Sequence, residues 1–248
     1  MKKFIFGCAL LWLGSAACAG PNINVGTIYD YMEGDKSTYL KRVFNAGDST
    51  AFVRINIFEM VFSADGKTTE VPLHTDGPGA ALRNGLIASP ARLIVPASGM
   101  QATRLVYMGD RDRERYYRVR FVPVVPEKED QFAVSDQERE TYKTAMSAGV
   151  NVLTGYGTVF FVRPKDTRFA TKIQDGDAEY RVDNTGNTTI ELADFKDCSV
   201  SQAQECAEAR KHIVLPGRHF SFVKAPGRKY SFNLVEGAAS KSIKVGEK

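Results

Sequence analysis

Few side chains in this sequence have a type and spacing suited to catalysis or metal binding. The three histidines, His74, His212 and His219, lie far apart and match no common spacing of zinc ligands. The sequence contains no serine nucleophile elbow, zinc-protease helix motif or phosphate-binding loop. Asp175 and Asp177 resemble the start of a calcium loop, but the other ligands are missing and a turn is favoured. We therefore expect no enzyme activity, no metal and no cofactor.

The four cysteines fall into two groups with different expected fates. Cys8 and Cys18 lie in the N-terminal leader described below, whereas Cys198 and Cys206 lie close together in the last quarter of the chain. Two nearby cysteines in an exported chain favour one structural disulfide that closes a short loop. The alternative is a pair of reduced thiols. A redox-active pair is disfavoured because its usual spacing is C-x-x-C.

The N-terminus has the three parts of a secretion signal. Two lysines precede the apolar run Phe4–Leu13, and small residues follow up to Ala19, which fits the small-x-small cleavage rule. As a helix, the apolar run spans only about 15 Å, about half of the hydrocarbon core of a bilayer. We expect cleavage after Ala19 and an exported protein that does not insert into a membrane. In the alternative, Cys18 is lipidated, although Ser15 stands where a lipoprotein signal usually has leucine.

Composition places the rest of the chain among ordinary globular proteins. It has 248 residues, of which 43% are hydrophobic and 25% charged, and these fractions disfavour disorder and multiple membrane spans. The formal net charge is +4, or about +2 without the two leader lysines. That charge is too small to indicate a nucleic-acid partner. The length allows one large domain or two modest ones.

The hydrophobic pattern of the mature chain has a period of two almost throughout. Val53, Ile55 and Ile57, for example, alternate with polar residues, which is typical of a half-buried strand. Many short strands with turn residues at roughly 8–12-residue spacing favour β-sandwiches. We predict an all-β protein with a leader (1–19), an N-terminal domain (20–163) and a C-terminal domain (167–248). The boundary follows Pro164, because proline ends a strand.

Two neighbouring segments depart from this pattern. The charged segment 126–148 lacks sustained alternation, which is typical of a floppy hairpin loop or of a segment that orders beside a partner. The segment Val150–Val162 predicts one strand much longer than usual. A long apolar edge strand is an aggregation hazard unless a partner covers it; the alternative is an interior strand of the first domain. One face of its first half has Val150, Val152, Thr154 and Tyr156.

Four further segments are informative when they are taken together and in order. They are Leu93–Gly99 with Thr103–Leu105, Glu114–Phe121, Val182–Asn187, and Cys198 with Cys206 ahead of Leu215–Gly217. They resemble motifs of the periplasmic chaperones of chaperone–usher pili, among them "LLPAGAS…IRL", "E-x-Y-R-V-x-F" and "N-T/N-G-N". The resemblance is to the alternate family, which serves colonisation-factor and common-pilus fimbriae. It extends over about residues 25–236.

The resemblance implies two immunoglobulin-like β-sandwich domains in an L-shaped arrangement, a periplasmic location and no enzyme activity. It also implies that the last strand of the first domain is lent to pilin subunits in a 1:1 complex, before delivery to an outer-membrane usher. The alternative is a fimbrial or surface adhesin subunit of immunoglobulin-like fold. Such a subunit needs a donor extension at its mature N-terminus, and residues 20–26 are short and weakly alternating. The implied donor residues are Val150, Val152, Thr154 and Tyr156.

The resemblance also suggests two charged sites. Many relatives in the larger branch hold the terminal carboxylate of the subunit with an arginine and a lysine, where this sequence has Ile28 and Val159. Neither side chain binds an anion, so Arg118 of the Tyr-Arg-Val motif is our candidate anchor, because a guanidinium can bind a carboxylate bidentately. The alternative is a solvent-facing strand arginine. A buried ion network between the domains is implied for Arg104, Glu114 and Glu236.

Overall fold

The computed structural model of the protein describes residues 20–63, 66–73, 85–147, 151–201 and 205–246. The predicted leader, with its cleavage site after Ala19 and its two cysteines, lies outside the described residues, as do His74 and Val150. The described chain is mostly β, and its strands form two sandwiches, each made of two sheets. The prediction of an all-β, two-sandwich fold is confirmed.

The first sandwich consists of two packed sheets, and along their strands buried side chains alternate with exposed ones. Val53 in β4 and Val119 and Phe121 in β9 are buried, whereas Arg54 and Arg120 are exposed. One sheet has the order β1-β3-β8-β6, and the other has the order β2-β10-β9-β4-β5 with β7 also paired to β4. The strands are β1 (Ile23–Asn24), β2 (Tyr29–Met32), β3 (Thr38–Asn45), β4 (Ala51–Phe62), β5 (Thr68–Pro72), β6 (Gly85–Ser89), β7 (Arg92–Val95), β8 (Met100–Met108), β9 (Arg115–Val124) and β10 (Tyr156–Val162).

The N-terminal segment changes from one sheet to the other. β1 pairs antiparallel with β3, whereas β2 pairs parallel with β10. Residues 25–28 make the crossing, and Gly26 adopts a φ of 69° there, a conformation that favours glycine. Among the described residues, β2 pairs with Val159–Val162 and not with the start of β10. There, β10 therefore has a neighbour on both sides only in its second half.

The charged segment 126–148 contains a helix, which neither sequence interpretation predicted. A short 3₁₀ turn at Lys128–Asp130 precedes helix α1 (Asp136–Ser147). The helix begins with a capping box. The carboxylate of Glu138 accepts the backbone N–H of Ser135 at 2.7 Å, and the hydroxyl of Ser135 accepts the backbone N–H of Glu138 at 3.2 Å. The S-x-x-E spacing was therefore the signal in the sequence.

Aromatic side chains attach this segment to the first domain. The rings of Phe132 and Tyr142 pack edge-on against Phe52 of β4, with centroid distances of 5.3 and 4.8 Å. The Tyr142 hydroxyl donates to the carbonyl oxygen of Thr50 at 2.9 Å. Burial raises the pKa of Tyr142 to about 12. The segment is therefore fixed to the outer face of the β4 sheet through its side chains.

The predicted strand Val150–Val162 is wrong in its first half. β10 begins at Tyr156, residues 151–155 are not in a strand, and Val150 lies outside the described residues. Tyr156 is opposite Phe121, so continued pairing would bring Thr154 opposite Pro123. Proline has no N–H to donate to the ladder. The alternation continues in the sequence, but the neighbouring strand cannot pair with it there.

The second sandwich has a smaller core of aromatic and aliphatic side chains, including Val182, Leu192 and Phe232. Its sheets have the orders β11-β12-β15 and β14-β13-β16-β17. Cys198 and Cys206 form the predicted disulfide. The strands are β11 (Thr171–Asp175), β12 (Glu179–Asn184), β13 (Ile190–Ser199), β14 (Arg210–Val214), β15 (His219–Val223), β16 (Arg228–Glu236) and β17 (Ala239–Val245).

Each domain has one buried asparagine with the same set of contacts, Asn45 in the first and Asn184 in the second. The side-chain nitrogens of Asn45 and Asn184 each donate at 2.8 Å to the carbonyl oxygen four residues later. Each also donates to the facing strand, to the carbonyl oxygens of Val95 and Val214 respectively. Both side-chain oxygens accept the backbone N–H two residues later. The two sandwiches therefore share a turn, which the sequence shows as a repeated Asn-x-Gly.

Candidate functional site

The first half of β10 has an open edge. The last bond between β2 and β10 at this end joins the Val159 N–H to the carbonyl oxygen of Ile28 at 2.7 Å. Groups two residues apart in a strand point to the same edge, so the N–H and C=O of Gly157 point to the β2 side of β10, at a level where β2 has not yet begun. Within the described residues, Tyr156–Thr158 pair with β9 alone. A further strand can be added here.

The segment before this edge is exposed, and its side chains differ in environment. Val152 is 77% exposed, and Thr154 is also exposed. Tyr156 is half-buried and packs against the core of the first domain, so its predicted projection toward a partner is wrong. Tyr156 follows the alternation of Thr158 and Phe160, which face that core and are buried. An extended 151–155 segment would place Val152 and Thr154 on this same face, beyond the end of the core.

Arg118 lies on the opposite, outward face of the same sheet, beside the open edge. Its Nε donates to Glu70 at 3.1 Å, and its Nη1 lies 3.5 Å from the carbonyl oxygen of Gly157. A Cβ at Gly157 would lie 3.3 Å from the Cδ of Arg118, so glycine gives this side chain room to cross β10. Arg120 binds the same Glu70 carboxylate and stacks on the Phe58 ring. Two cations thus share one anion.

Tyr29 of β2, Val159 of β10 and Arg118 of β9 form one cross-strand row. Arg118 is the cation at one end of this row, and another cation, which sequence reasoning missed, lies at the Tyr29 end. Val159 is opposite both Arg118 in β9 and Tyr29 in β2. The Nζ of Lys211, from β14 of the second domain, lies 5.5 Å from the centre of the Tyr29 ring. It also pairs with Glu191 at 2.7 Å while its side chain stays 41% exposed. Only the docking of the two domains brings Lys211 here, so no local pattern could have indicated it.

The predicted ion network of Arg104, Glu114 and Glu236 is wrong. Arg104 is exposed on β8, between partners on β3 and β6. Glu236 accepts a hydrogen bond from the Thr171 hydroxyl at 2.7 Å, within the second domain. Alternation along β8 explains the error, because its buried positions are Thr103 and Leu105. An arginine between them must face outward.

Glu114 nevertheless joins the domains, with neutral partners. Its buried carboxylate accepts the hydroxyl of Thr188 at 2.7 Å and both the backbone N–H and the hydroxyl of Thr189, at 2.9 and 2.6 Å. A buried carboxylate needs several such donors, because it loses its hydration. The pKa of the neighbouring Tyr116 is strongly raised, mainly by burial and secondly by the charge of Glu114.

Arg163 supplies the cation of the joint. It is buried, and its guanidinium lies 4.8 Å from the Tyr31 ring and 5.1 Å from the Phe169 ring. Its Nη1 donates to both carboxylate oxygens of Glu33, at 3.0 and 2.9 Å. Tyr31 also donates its hydroxyl to Glu191 at 2.5 Å. Burial and that hydrogen bond strongly raise the pKa of Tyr31, so its phenol stays protonated.

The described residues offer hydrogen-bonding, apolar and cationic groups for binding beside the open edge of β10. Among them, no group of three or more His, Cys, Asp or Glu side chains is placed to hold a metal ion. In the same residues, no helix is long and apolar enough to cross a membrane. The arrangement combines an open strand edge, an exposed apolar side chain beside it, and two cations along one row.

Comparison with known proteins identifies relatives of similar length. No protein-family model matches the chain. The chain is similar to the probable fimbrial chaperone EcpB of Escherichia coli O18:K1:H7, with 28% identity over 243 residues, 96% of this chain and 97% of that protein. EcpB of E. coli K12 is 27% identical over 226 residues, 90% of each chain. The resemblance to fimbrial chaperones that the motifs indicate is confirmed. Fimbrial chaperones are not enzymes, which agrees with the predicted lack of enzyme activity.

Solved structures support the fold. The class 5 fimbriae chaperone CfaA has a TM-score of 0.55 and 18% identity, over 90% of this chain and 98% of CfaA. The Salmonella enterica SafA pilin–SafB chaperone complex has a TM-score of 0.52 and 13% identity, over 93% of this chain and 98% of that one. The E. coli chaperone DraB has a TM-score of 0.52 and 14% identity, over 91% and 96%. Each is a chaperone, or a complex that contains one.

Proposed function

We propose that this protein is a periplasmic chaperone that captures pilin subunits by lending them the open edge of β10. The observation that carries the proposal is the start of β2 at Tyr29, which leaves Tyr156–Thr158 with one neighbouring strand among the described residues. A pilin that lacks one strand exposes unpaired backbone groups and an apolar groove. Addition of a strand satisfies both, because the backbone supplies hydrogen bonds and alternate side chains fill the groove.

The segment 151–155 is proposed to complete the donor strand when a subunit binds. Val152 and Thr154 face solvent in the free protein, so insertion into a subunit breaks no contact with the core of the first domain. Val150 is assigned the same role by the alternation of the sequence. Tyr156 is not proposed as a groove-filling residue, because it packs on the core of its own domain.

Arg118 and Lys211 are proposed to bind the terminal carboxylate of the subunit together. They lie at the two ends of the row through Val159, where the open edge meets the second domain. Each has one carboxylate partner at present, Glu70 and Glu191 respectively. Because Glu70 is shared with Arg120, Arg118 can accept a second anion while Glu70 keeps one cation.

Export and delivery complete the proposed function. Cleavage after Ala19 would release residues 20–248 into the periplasm, with domains at 20–163 and 167–248. The captured subunit would form a 1:1 complex and pass to an outer-membrane usher. The alternative, an adhesin subunit, is not favoured, because EcpB and CfaA, to which the chain is similar, are described as chaperones.

Co-expression with a pilin subunit tests the proposal. The subunit, encoded near the gene of this protein, is exported with and without the chaperone, and periplasmic extracts are separated by gel filtration. We expect a 1:1 complex, and degraded or aggregated subunit when the chaperone is omitted. Equal recovery of soluble subunit in both cells, with no complex, would contradict the proposed function.

A further inference from the structure

A buried polar network lies where the N-terminal segment leaves β10. Asp30 of β2 and Lys41 of β3 are 3% and 4% exposed, and the Nζ of Lys41 lies 2.6 Å from the Asp30 carboxylate. The two strands belong to different sheets. A buried ion pair adds little net stability compared with apolar packing, and its best-attested use is to fix a register. We therefore expect this ion pair to fix a register rather than to add stability.

The network bends the chain just before β2. Lys41 also donates to the carbonyl oxygen of Thr27 at 2.7 Å, and the Thr27 hydroxyl donates to Asp30 at 2.7 Å. Thr27 is thus bound at two atoms by the two members of the ion pair. The next residue, Ile28, supplies the last carbonyl that β2 gives to β10. The bend just before β2, held by the ion pair, therefore coincides with the start of the open edge.

Tyr39 connects the network to β10 itself. Its hydroxyl donates to Asp30 at 2.8 Å, and its ring packs edge-on against Phe160, with 5.2 Å between centroids. Burial and the bond to Asp30 raise the pKa of Tyr39 to about 12, so this hydroxyl remains a donor. The ion pair therefore contacts the turn on one side and, through Tyr39, the core face of β10 on the other.

Without this network, the alternation of the N-terminal segment permits other registers. Ile23 and Val25 are buried, and β1 is only two residues long. Extending the parallel register of β2 would bring Gly26 opposite Tyr156, which would cover the open edge. Detachment of β2 would instead lengthen that edge. Either change would alter the length of edge available to a guest strand.

We propose that the Asp30–Lys41 pair and Thr27 form a positioning device that fixes where β2 begins on β10 and so sets the edge open to a guest strand. The identity of the guest rests on the proposed function. The device acts on the backbone of residues 27–30 and does not itself contact the guest. Removal of the device should therefore shift the point where β2 begins to pair with β10. This shift should be larger than in a control variant with a similar loss of stability.

Amide exchange in the free protein tests the boundary. The test variant is Asp30→Leu with Lys41→Met. The control is Leu93→Ala, which creates a cavity at β7, remote from β2. Each variant is measured at the same number of degrees below its own unfolding temperature. We expect the protection of the Val159 N–H, relative to that of Val119, to change at least tenfold in the test variant and to stay constant in the control. An unchanged ratio would overturn the proposal. Thr27→Val, which removes one hydroxyl only, should change the ratio about threefold if the double variant does not fold.

Binding of a urea-unfolded pilin subunit tests the consequence for a guest. We expect the affinity of the double variant to differ at least tenfold from that of Leu93→Ala, weaker if the edge is covered and stronger if it is lengthened; equal binding would overturn the consequence for the guest. Failure of the unmutated protein to bind any subunit would count against the proposed function instead, and the exchange ratio would still decide the positioning role.

Discussion

The guanidinium of Arg118 crosses β10 over Gly157, and its Nη1 lies 3.5 Å from the carbonyl oxygen of that glycine. A cation is thus held at the edge where a guest strand would be added. The same arginine keeps Glu70 as an ion-pair partner, so it is oriented before any subunit binds. An oriented side chain loses less conformational freedom on binding.

Arg118→Ala should weaken capture of a subunit that ends in a free carboxylate, and Lys211→Met should do the same. A charge-assisted hydrogen bond contributes about 1.5–3 kcal/mol, so each change should reduce the affinity by roughly tenfold or more. Arg104→Ala is the control, because Arg104 is an exposed arginine on β8, in the other sheet of the first domain.

The measurement is the dissociation constant for two subunits, one natural and one with extra C-terminal residues. The affinity for the extended subunit should decrease little in Arg118→Ala. A loss that is the same for both subunits would contradict the carboxylate role.

Glu114→Ala should lower the thermal stability far more than Arg104→Ala. The first change leaves the Thr189 N–H and the two threonine hydroxyls buried without their acceptor, at a cost of about 1–3 kcal/mol for a buried donor. Arg104 is exposed, and such surface changes are usually within about 0.5 kcal/mol. Calorimetry of both variants is the measurement, and equal losses would show that Glu114 does not join the domains.

Cys198→Ser should destabilise the second domain by about 2–3 kcal/mol and leave the first domain largely folded. The disulfide closes a short loop, and the chain-entropy estimate for such a loop is of this order. Urea unfolding followed by signals from each domain checks the effect. Mass spectrometry of periplasmic protein checks the bond itself, and two free thiols there would rule it out.

Acid should weaken the second domain through His212. Burial against Phe220 lowers the pKa of His212 below its ordinary value. The unfolded state therefore takes up a proton first, and the His212 contribution is complete above about pH 6.5 and is lost as the pH falls toward the folded pKa. Urea unfolding at several pH values should show this loss in the unmutated protein and a smaller one in His212→Gln. An identical pH dependence in the two proteins would contradict it.

Local alternation was sufficient to predict an all-β fold, although it extended one strand too far, into residues 151–155. The same alternation explains why Arg118 faces away from the core, because Tyr117 and Val119 on either side of it are buried. The helix after Phe132 was missed, although its Ser135–Glu138 capping box is visible in the sequence. That signal is local, and the charged composition around it concealed the short amphipathic pattern.

The remaining errors concern contacts between distant parts of the chain. Donor-strand pairing stops at Tyr156 because of Pro123, which lies on a different strand. The partners of Glu114 are threonines of the second domain, and Lys211 reaches Tyr29 only across the domain joint. Periodicity describes which face a residue occupies, but not which residue lies opposite.

Subunit capture by Val152 is the most direct test of donor-strand function. Val152→Asp is compared with Val223→Asp; these valines are 77% and 72% exposed, and Val223 lies in the second domain. Both variants should keep the unfolding temperature of the unmutated protein, because neither side chain is in a core. Loss of one buried valine contact costs about 1–3 kcal/mol, and a carboxylate buried in the groove costs more.

The measurement is the dissociation constant for a urea-unfolded pilin subunit. We predict at least tenfold weaker binding for Val152→Asp and unchanged binding for Val223→Asp, with Val150→Asp behaving like Val152→Asp. Equal binding by Val152→Asp and Val223→Asp would contradict the claim that residues before β10 complete the subunit.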